Sequence, residues 1–361
     1  MGARARRGGA GRRPRACAGR RRAPLDGAVL ILGLASVGWA YETDQLTERD
    51  RQLVDATAPA NTAVRALLDR AIDETNHRTG CAGSDDAIRR VLADEIHRAT
   101  SRPSWVWSRG VLRAPGFSTF SAALERSPEV DRFAFPGRSD LYGALTAWQS
   151  VILATAGPCS TFEIAGVRVG SDKFDHFLDN GWEYWRIVDR TGDVDAAIAE
   201  GTRTERSIYG LLTSKTFSYA DLRANWDGYR FYAGLLGPDS PVGRAADGCV
   251  AATAPFDWRA WVDPEWDEVI NPPVYTHLVE QGVLRGLDRD REAVCAARAV
   301  WDADGWREVA LPAGAPPYVS GPAPARRDPW QLARLCDPGR TEPLAPAAVR
   351  PRDEVRRQRR S

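Results

Sequence analysis

The side chains best suited to chemistry are concentrated in residues 166–235. The stretch GSDKFDHFLDNGWEYW spans 170–185, and SYADLRANWDGYRFY spans 218–232. Helical projection at ~100° per residue places Asp172, His176, Asp179 and Glu183 on one face of a helix predicted over 172–189. Its apolar face is Phe174, Leu178, Gly181 and Trp185. A histidine among carboxylates suits acid–base work or metal ligation, so Asp172 and His176 are the candidate metal ligands. One histidine is thin for zinc, and nothing in the sequence demands a divalent metal as cofactor. The wet side of an amphipathic helix accounts for the same pattern.

A second helix is predicted over 218–236. Ser218 and Asp221 approximate a capping box at its start. Arg223, Asp227 and Arg230 share a face that reads as exposed, which turns Asp221 and Asn225 inward. A buried carboxylate needs a cationic or multiply hydrogen-bonded partner. Lys173, Lys215 and His176 are the natural ones. The chain holds only two lysines, Lys173 and Lys215, against 47 arginines, and both fall in this segment. A lysine kept amid such a bias marks a place for a compact ammonium rather than a planar fork. Asp221 is therefore expected within ion-pair reach of Lys173, Lys215 or His176. Gly228 and Ala224 leave room for a close backbone approach.

Thirteen tryptophans are many for 361 residues. Trp182, Tyr184 and Tyr229 stand near Glu183, Glu205 and Asp221. Aromatic rings beside a carboxyl pair are what glycan-cleaving clefts use, although core packing explains most aromatics in helical proteins. The candidate catalytic set is His176, Glu183, Glu205 and Asp221. The candidate binding set is Lys173, Trp182, Tyr184, Lys215, Asn225 and Tyr229. No GxSxG, phosphate loop or GxGxxG motif is present.

On Gly170, Asp172, Lys173, His176, Phe177, Gly181, Trp182 and Tyr184, and on Ser218–Leu222, Ala224, Asn225, Gly228 and Tyr229, the chain resembles a family of exported bacterial proteins of unassigned activity. The likeness covers about 70 residues. It implies an envelope or secreted location and no particular reaction.

The elements around these residues are mainly helical. Helices are predicted at 62–76, 85–100 behind Ser84, 139–156, 172–189, 193–208, 218–236, 274–285 and 288–301. The 139–156 helix would bury Leu141, Leu145, Trp148 and Ile152. TFEI and VRV across Ala165-Gly166 predict a small hairpin over 161–169. The expected fold is mainly α: one large helical domain over 41–310 with that hairpin. A signal sequence (1–40) and a Pro/Arg-rich, poorly ordered tail (311–361) flank it, the tail contributing few core contacts apart from local docking of Trp330 and Leu332.

Residues 1–40 carry a net charge of +8 and residues 350–361 a net of +4; with +1 for the whole chain, the body carries −11. An acidic body argues against nucleic acid as a partner. Basic residues, then the uncharged GAVLILGLASVGWA at 27–40, form a secretory pattern with Gly38 and Ala40 before the cleavage point. The alternative is an uncleaved inner-membrane anchor at 27–40, the chain's only expected contact with a membrane. Export to the periplasm or outside places Cys81, Cys159, Cys249, Cys295 and Cys336 where disulfides persist. Their loop contexts favour pairing Cys81 with Cys159. Two function classes stay open: a hydrolase acting on an envelope component or glycan, and a non-catalytic ligand- or partner-binding protein with a structural polar core. The sequence does not decide whether the protein is an enzyme.

Overall fold

Helix α1, Thr57–Thr79, buries Val64, Leu67, Leu68, Ala71 and Ile72 and stops at Gly80, whose φ of 59° is the left-handed cap that glycine adopts freely. Ser84 caps α2, Asp85–Thr100, by accepting from Ala87 N at 3.3 Å. These boundaries come from a computed structural model. It describes residues 42–47, 49–100, 107–108, 111–112, 119–134, 140–150, 153–154, 158–206, 210–303 and 330–345.

After a short ladder of β1 (Trp107–Ser108) with β2 (Val111–Leu112) comes α3, Thr119–Arg126. The expected hairpin is β3, Thr161–Ile164, paired antiparallel with β4, Val167–Gly170. Ala165 (φ 54°) and Gly166 (φ 80°) make the two-residue turn, whose positive φ values match the twist of the strands. The chain runs from β4 directly into a long helix, α4. It is α-helical over Ser171–Asp175, π-helical over His176–Asn180 and α-helical again over Gly181–Thr191.

Helix α5, Val194–Glu205, begins at Asp193, whose side chain accepts from Ala196 N. A second π turn, Gly210–Ser214, leads into β5, Thr216–Phe217, and then α6, Tyr219–Gly234. The ladder of β6 (Val242–Arg244) with β7 (Val250–Ala252) precedes two 3₁₀ turns at Trp258–Ala260 and Pro264–Trp266. Strand β8, Val274–Tyr275, pairs with β5, and α7 (His277–Arg289), α8 (Arg291–Ala303) and α9 (Leu332–Leu335) follow. The fold is mainly α with two-stranded antiparallel ladders, as expected.

The main core joins α1, α2, α3, the β3–β4 hairpin, α4 and α6 around rings that include Phe174, Phe177, Phe231, Trp258 and Trp266. Trp258 lies 5.0 Å from Phe174 and 5.1 Å from Phe177, edge to face. Helices α4 and α6 meet backbone to backbone: a Cβ on Gly181 would sit 2.5 Å from Gly228 Cα, and one on Gly228 would sit 2.0 Å from Phe177 O. That approach is the one anticipated for Gly228.

Three expectations are corrected. Residues 140–150 are turns, not part of a 139–156 helix, and Trp148 is 47% exposed. Side chains there capture the backbone groups that a helix would use: Asp140 accepts from Tyr142 N, Gln149 from Thr146 N, and Asp44 from Leu141 N. The disulfides are Cys81–Cys249 and Cys295–Cys336, and the buried thiol is Cys159, so Cys81 does not pair with Cys159. Loop context carried no distance information.

The described part of the tail, residues 330–345, is also more than a loose appendage. Trp330, Leu332, Leu335, Leu344 and Ala345 are buried in a second core with α7 and α8. Cys336 ties this stretch to α8. Residues 1–41, with the signal pattern and the 27–40 anchor alternative, lie outside the described residues, as does Ile152. Among the described residues no helix is long and apolar enough to cross a membrane.

Candidate functional site

The inward face of α6 meets α4 in a buried polar centre. Lys173 is fully enclosed, and its ammonium lies 2.8 Å from Asp172 Oδ2, 2.6 Å from Asp221 Oδ1 and 2.9 Å from Glu268 Oε1. The ammonium hydrogen-bonds Asp172 and Glu268 and forms a contact ion pair with Asp221, whose Oδ1 has no aligned hydrogen bond. The other Asp221 oxygen takes His176 Nε2 at 3.0 Å. The predicted Asp221 ion pairs therefore form with both Lys173 and His176. Asp172 Oδ1 accepts from Thr43 Oγ1 at 2.6 Å, and Ser218 Oγ donates to Glu268 Oε1 at 3.0 Å.

His176 Nδ1 faces the Asn225 amide at 2.9 Å and Asn180 Nδ2 at 3.2 Å. The Asn225 amide has two useful orientations. With Oδ1 toward the ring it accepts from a protonated Nδ1. With its NH₂ there it donates to a bare Nδ1 and lies 3.1 Å from Asp221 O and 3.3 Å from His176 O. Both ring nitrogens are thus engaged by protein groups in either charge state.

Burial works against every charge here, and the neighbours decide the outcome. It opposes the imidazolium of His176, but the charge and hydrogen bond of Asp221, helped by Glu205, lift that group to about 9. Burial also pushes against the Asp221 carboxylate, yet His176 and Lys173 hold it well below the usual range. Lys173 is desolvated too, and Asp172, Asp221 and Glu268 raise it well above an ordinary lysine. Burial and then the Asp221 charge raise Glu205 to about 8. Glu268 rises to about 7 through burial, despite Lys173. Burial, then Asp221, Glu268 and Glu205, push Glu42 well up.

Asp172, Asp221 and Glu268 each bring an oxygen within 4.8 Å of the others, close enough to share a metal ion. The Lys173 ammonium already bonds to all three. His176 is occupied by Asp221 and two amides, so the expected Asp172–His176 ligand pair is not what these side chains form.

A second polar centre occupies the face that reads as exposed in the sequence. Arg223 and Asp227 are 3% and 1% exposed, a correction to that reading. The Arg223 guanidinium pairs with Asp227 at 2.8 Å, with Glu265 at 2.9 Å and with Asp263. Asp227 also accepts from Trp266 Nε1 at 3.0 Å and pairs with the half-exposed Arg230 at 3.2 Å.

The remaining candidates separate. Ser218 caps α6 by accepting from Asp221 N at 3.2 Å, but the reciprocal arm comes from Glu205, which accepts from Ser218 N at 3.1 Å. The Asp221 carboxylate is thereby free for Lys173 and His176. Glu183 is exposed, because the π turn adds a residue and rotates the following helix away from the phase of a regular one. Asp179 faces His97 at 3.6 Å. Trp182 stacks on His97, with ring centroids 3.7 Å apart, and donates to Asp94. Tyr184 packs against Gly201, and Tyr229 stacks with Trp226. Among the described residues Lys215 makes no ion pair, and only its backbone is bonded, from its N to Gly210 O and from Thr276 N to its O. These aromatics do not line the Lys173 centre, so the cleft reading loses its rings.

Sequence reasoning missed Glu42, Thr43, Gln45, Glu268 and the Asp263–Glu265 pair. The one available signal was in DPEWDEVINP, where acids alternate with large apolar residues that must be buried. No family model, curated protein or solved structure matches this chain.

Proposed function

We propose that this is an exported cell-envelope or secreted protein that binds a ligand or partner and uses its Lys173–His176–Asp221 centre as a structural polar core. One observation carries the reading. The Lys173 ammonium is in contact with three protein carboxylates, both nitrogens of His176 face protein groups, and no member of the centre is more than 6% exposed. A general base needs a lone pair turned toward substrate, and His176 offers none.

Export is supported by the secretory pattern at 1–40 and by two disulfides, which persist in oxidising compartments. Binding is supported by an exposed apolar pair, Trp148 at 47% and Leu278 at 44%, on segments joined by a 2.7 Å bond from Gln149 Nε2 to Leu278 O. The hydrolase reading keeps one point in its favour: Glu205, at about 8, holds a proton at neutral pH as a general acid must.

Accessibility distinguishes the two. Native protein treated with an acylating imidazole reagent should react at the exposed His77 and His277 while His176 stays protected until unfolding. Reaction of His176 at the rate of His277 would mean an open centre and favour the hydrolase. N-terminal sequencing of exported protein should begin at Tyr41. A chain that retains 27–40 would point to the anchored alternative.

A further inference from the structure

Between the strap around Leu46, the turns at 140–150 and the corner where α7 meets α8 lies an open groove of about 850 Å³. Its floor is apolar: Leu46, Leu141, Leu287, Val294 and Ala297 all belong to the second core. Its α8 wall is Ala293 and Ala296, both exposed. A concave space of this size with an apolar floor is what small-molecule sites use.

Two fastenings hold the walls apart. Asp44, 1% exposed, accepts from Leu46 N at 3.0 Å and Thr47 N at 2.9 Å through Oδ1, and from Leu141 N at 2.6 Å through Oδ2. One buried carboxylate thus ties the strap to the turns. On α8, Cys295 is bonded to Cys336 and stands about 160° round the helix from Ala293. The helix is held from behind and does not roll into the groove.

The rim decides what fits. Asp290 is paired with Arg289, but Asp50 and Glu292 are exposed and form no ion pair among the described residues. An anionic guest meets two unpaired carboxylates here, and an uncharged one gains only the floor. A cation on an apolar body gains both.

We propose that this groove binds an organic cation, an ammonium or guanidinium group carried on an alkyl or aryl body. The body lies on the Leu46–Leu287 floor and the charge sits at the rim with Asp50 and Glu292. The proposal rests on the ligand-binding reading above and gives it a place and a chemical class.

The test is calorimetric titration of the exported chain with three probes that share one body: 4-phenylbutylamine, 4-phenylbutanol and 4-phenylbutyrate. The amine should bind once per chain, about tenfold tighter than the alcohol, and the acid most weakly. Added salt should shrink the advantage of the amine. Asp50→Asn with Glu292→Gln should bring the amine down to the affinity of the alcohol. Ala296→Trp fills the groove from an exposed position and should abolish binding of all three, with the melting temperature as a control for folding. An acid that binds as tightly as the amine, or an amine that does not bind, overturns the proposal. Binding that survives Ala296→Trp places the probe elsewhere; it overturns this groove while leaving the ligand-binding reading intact. A concentration-dependent dimer that Ala296→Trp dissolves would give the groove to a second copy of the chain and overturn the proposal equally.

Discussion

The two buried centres flanking α6 solve one electrostatic problem with different cations. Around Arg223 the planar fork divides its donors among Asp227, Asp263 and Glu265, and Trp266 supplies a further donor to Asp227. Around Lys173 a compact ammonium sits among three carboxylates, with His176 as a second, titratable cation on Asp221. In a chain that uses arginine nearly everywhere, the fork stands where three acids each take a different nitrogen, and the ammonium where three carboxylates converge on one nitrogen. The first centre keeps its cation at any pH, whereas the second contains a group that can lose its charge near 9.

The largest effects should come from emptying either centre. Lys173→Ala and Arg223→Ala each leave several buried carboxylates facing one another, and each should cost about 3–5 kcal/mol in denaturant unfolding. A double variant whose loss equals the sum within about 0.5 kcal/mol would show two independent centres; a smaller loss would show that α6 couples them. For calibration away from both, Cys295→Ser with Cys336→Ser, or truncation at 312, removes the tie to the second core and should cost about 2–5 kcal/mol. The compositional reading that the tail is dispensable fails if that loss is found.

Exchanging the cations sharpens the comparison. Lys173→Arg forces a fork into an enclosed point site and should cost ~1–3 kcal/mol as overpacking. Arg223→Lys should cost a similar amount by abandoning one of its acids. If both exchanges are silent, the geometric distinction is wrong.

The smallest expected effect is on pH dependence. The folded pKa of His176, about 9, lies above its unfolded value near 6.5. Its stabilising contribution is therefore complete below about 6.5 and is lost as pH rises through about 9. Asp221 has the opposite sign: its folded pKa is depressed, so its contribution is present above about 3.9 and fades as pH falls well below that. Unfolding free energy should decline between pH 7 and 9, and His176→Gln should flatten that decline.

The inward aim of Asp221 was legible because α6 is a regular helix on which projection holds. Its other face was misread because an Arg223–Asp227 pair at i,i+4 looks wet. The acids that make burial tolerable, Asp263 and Glu265, come from a segment some forty residues on that gives no periodic signal. Glu183 was misplaced by one inserted residue, since nothing in HFLDN announces a π turn. Glu268 and Glu42 stand in irregular segments where projection has no meaning. The turns at 140–150 show the same limit: Leu141 and Leu145 sit at helical spacing and are buried, while side-chain bonds from Asp140, Gln149 and Asp44 replace the helix.

The claim that the Lys173 centre is structural is tested most directly by the unfolding free energy of Asp221→Asn at pH 7, an isosteric change that deletes one charge. The account predicts a loss of about 3 kcal/mol or more, because Lys173 and His176 both lose a buried anion. Unchanged or increased stability would contradict it, since that is how a site strained for catalysis behaves when its working residue is removed.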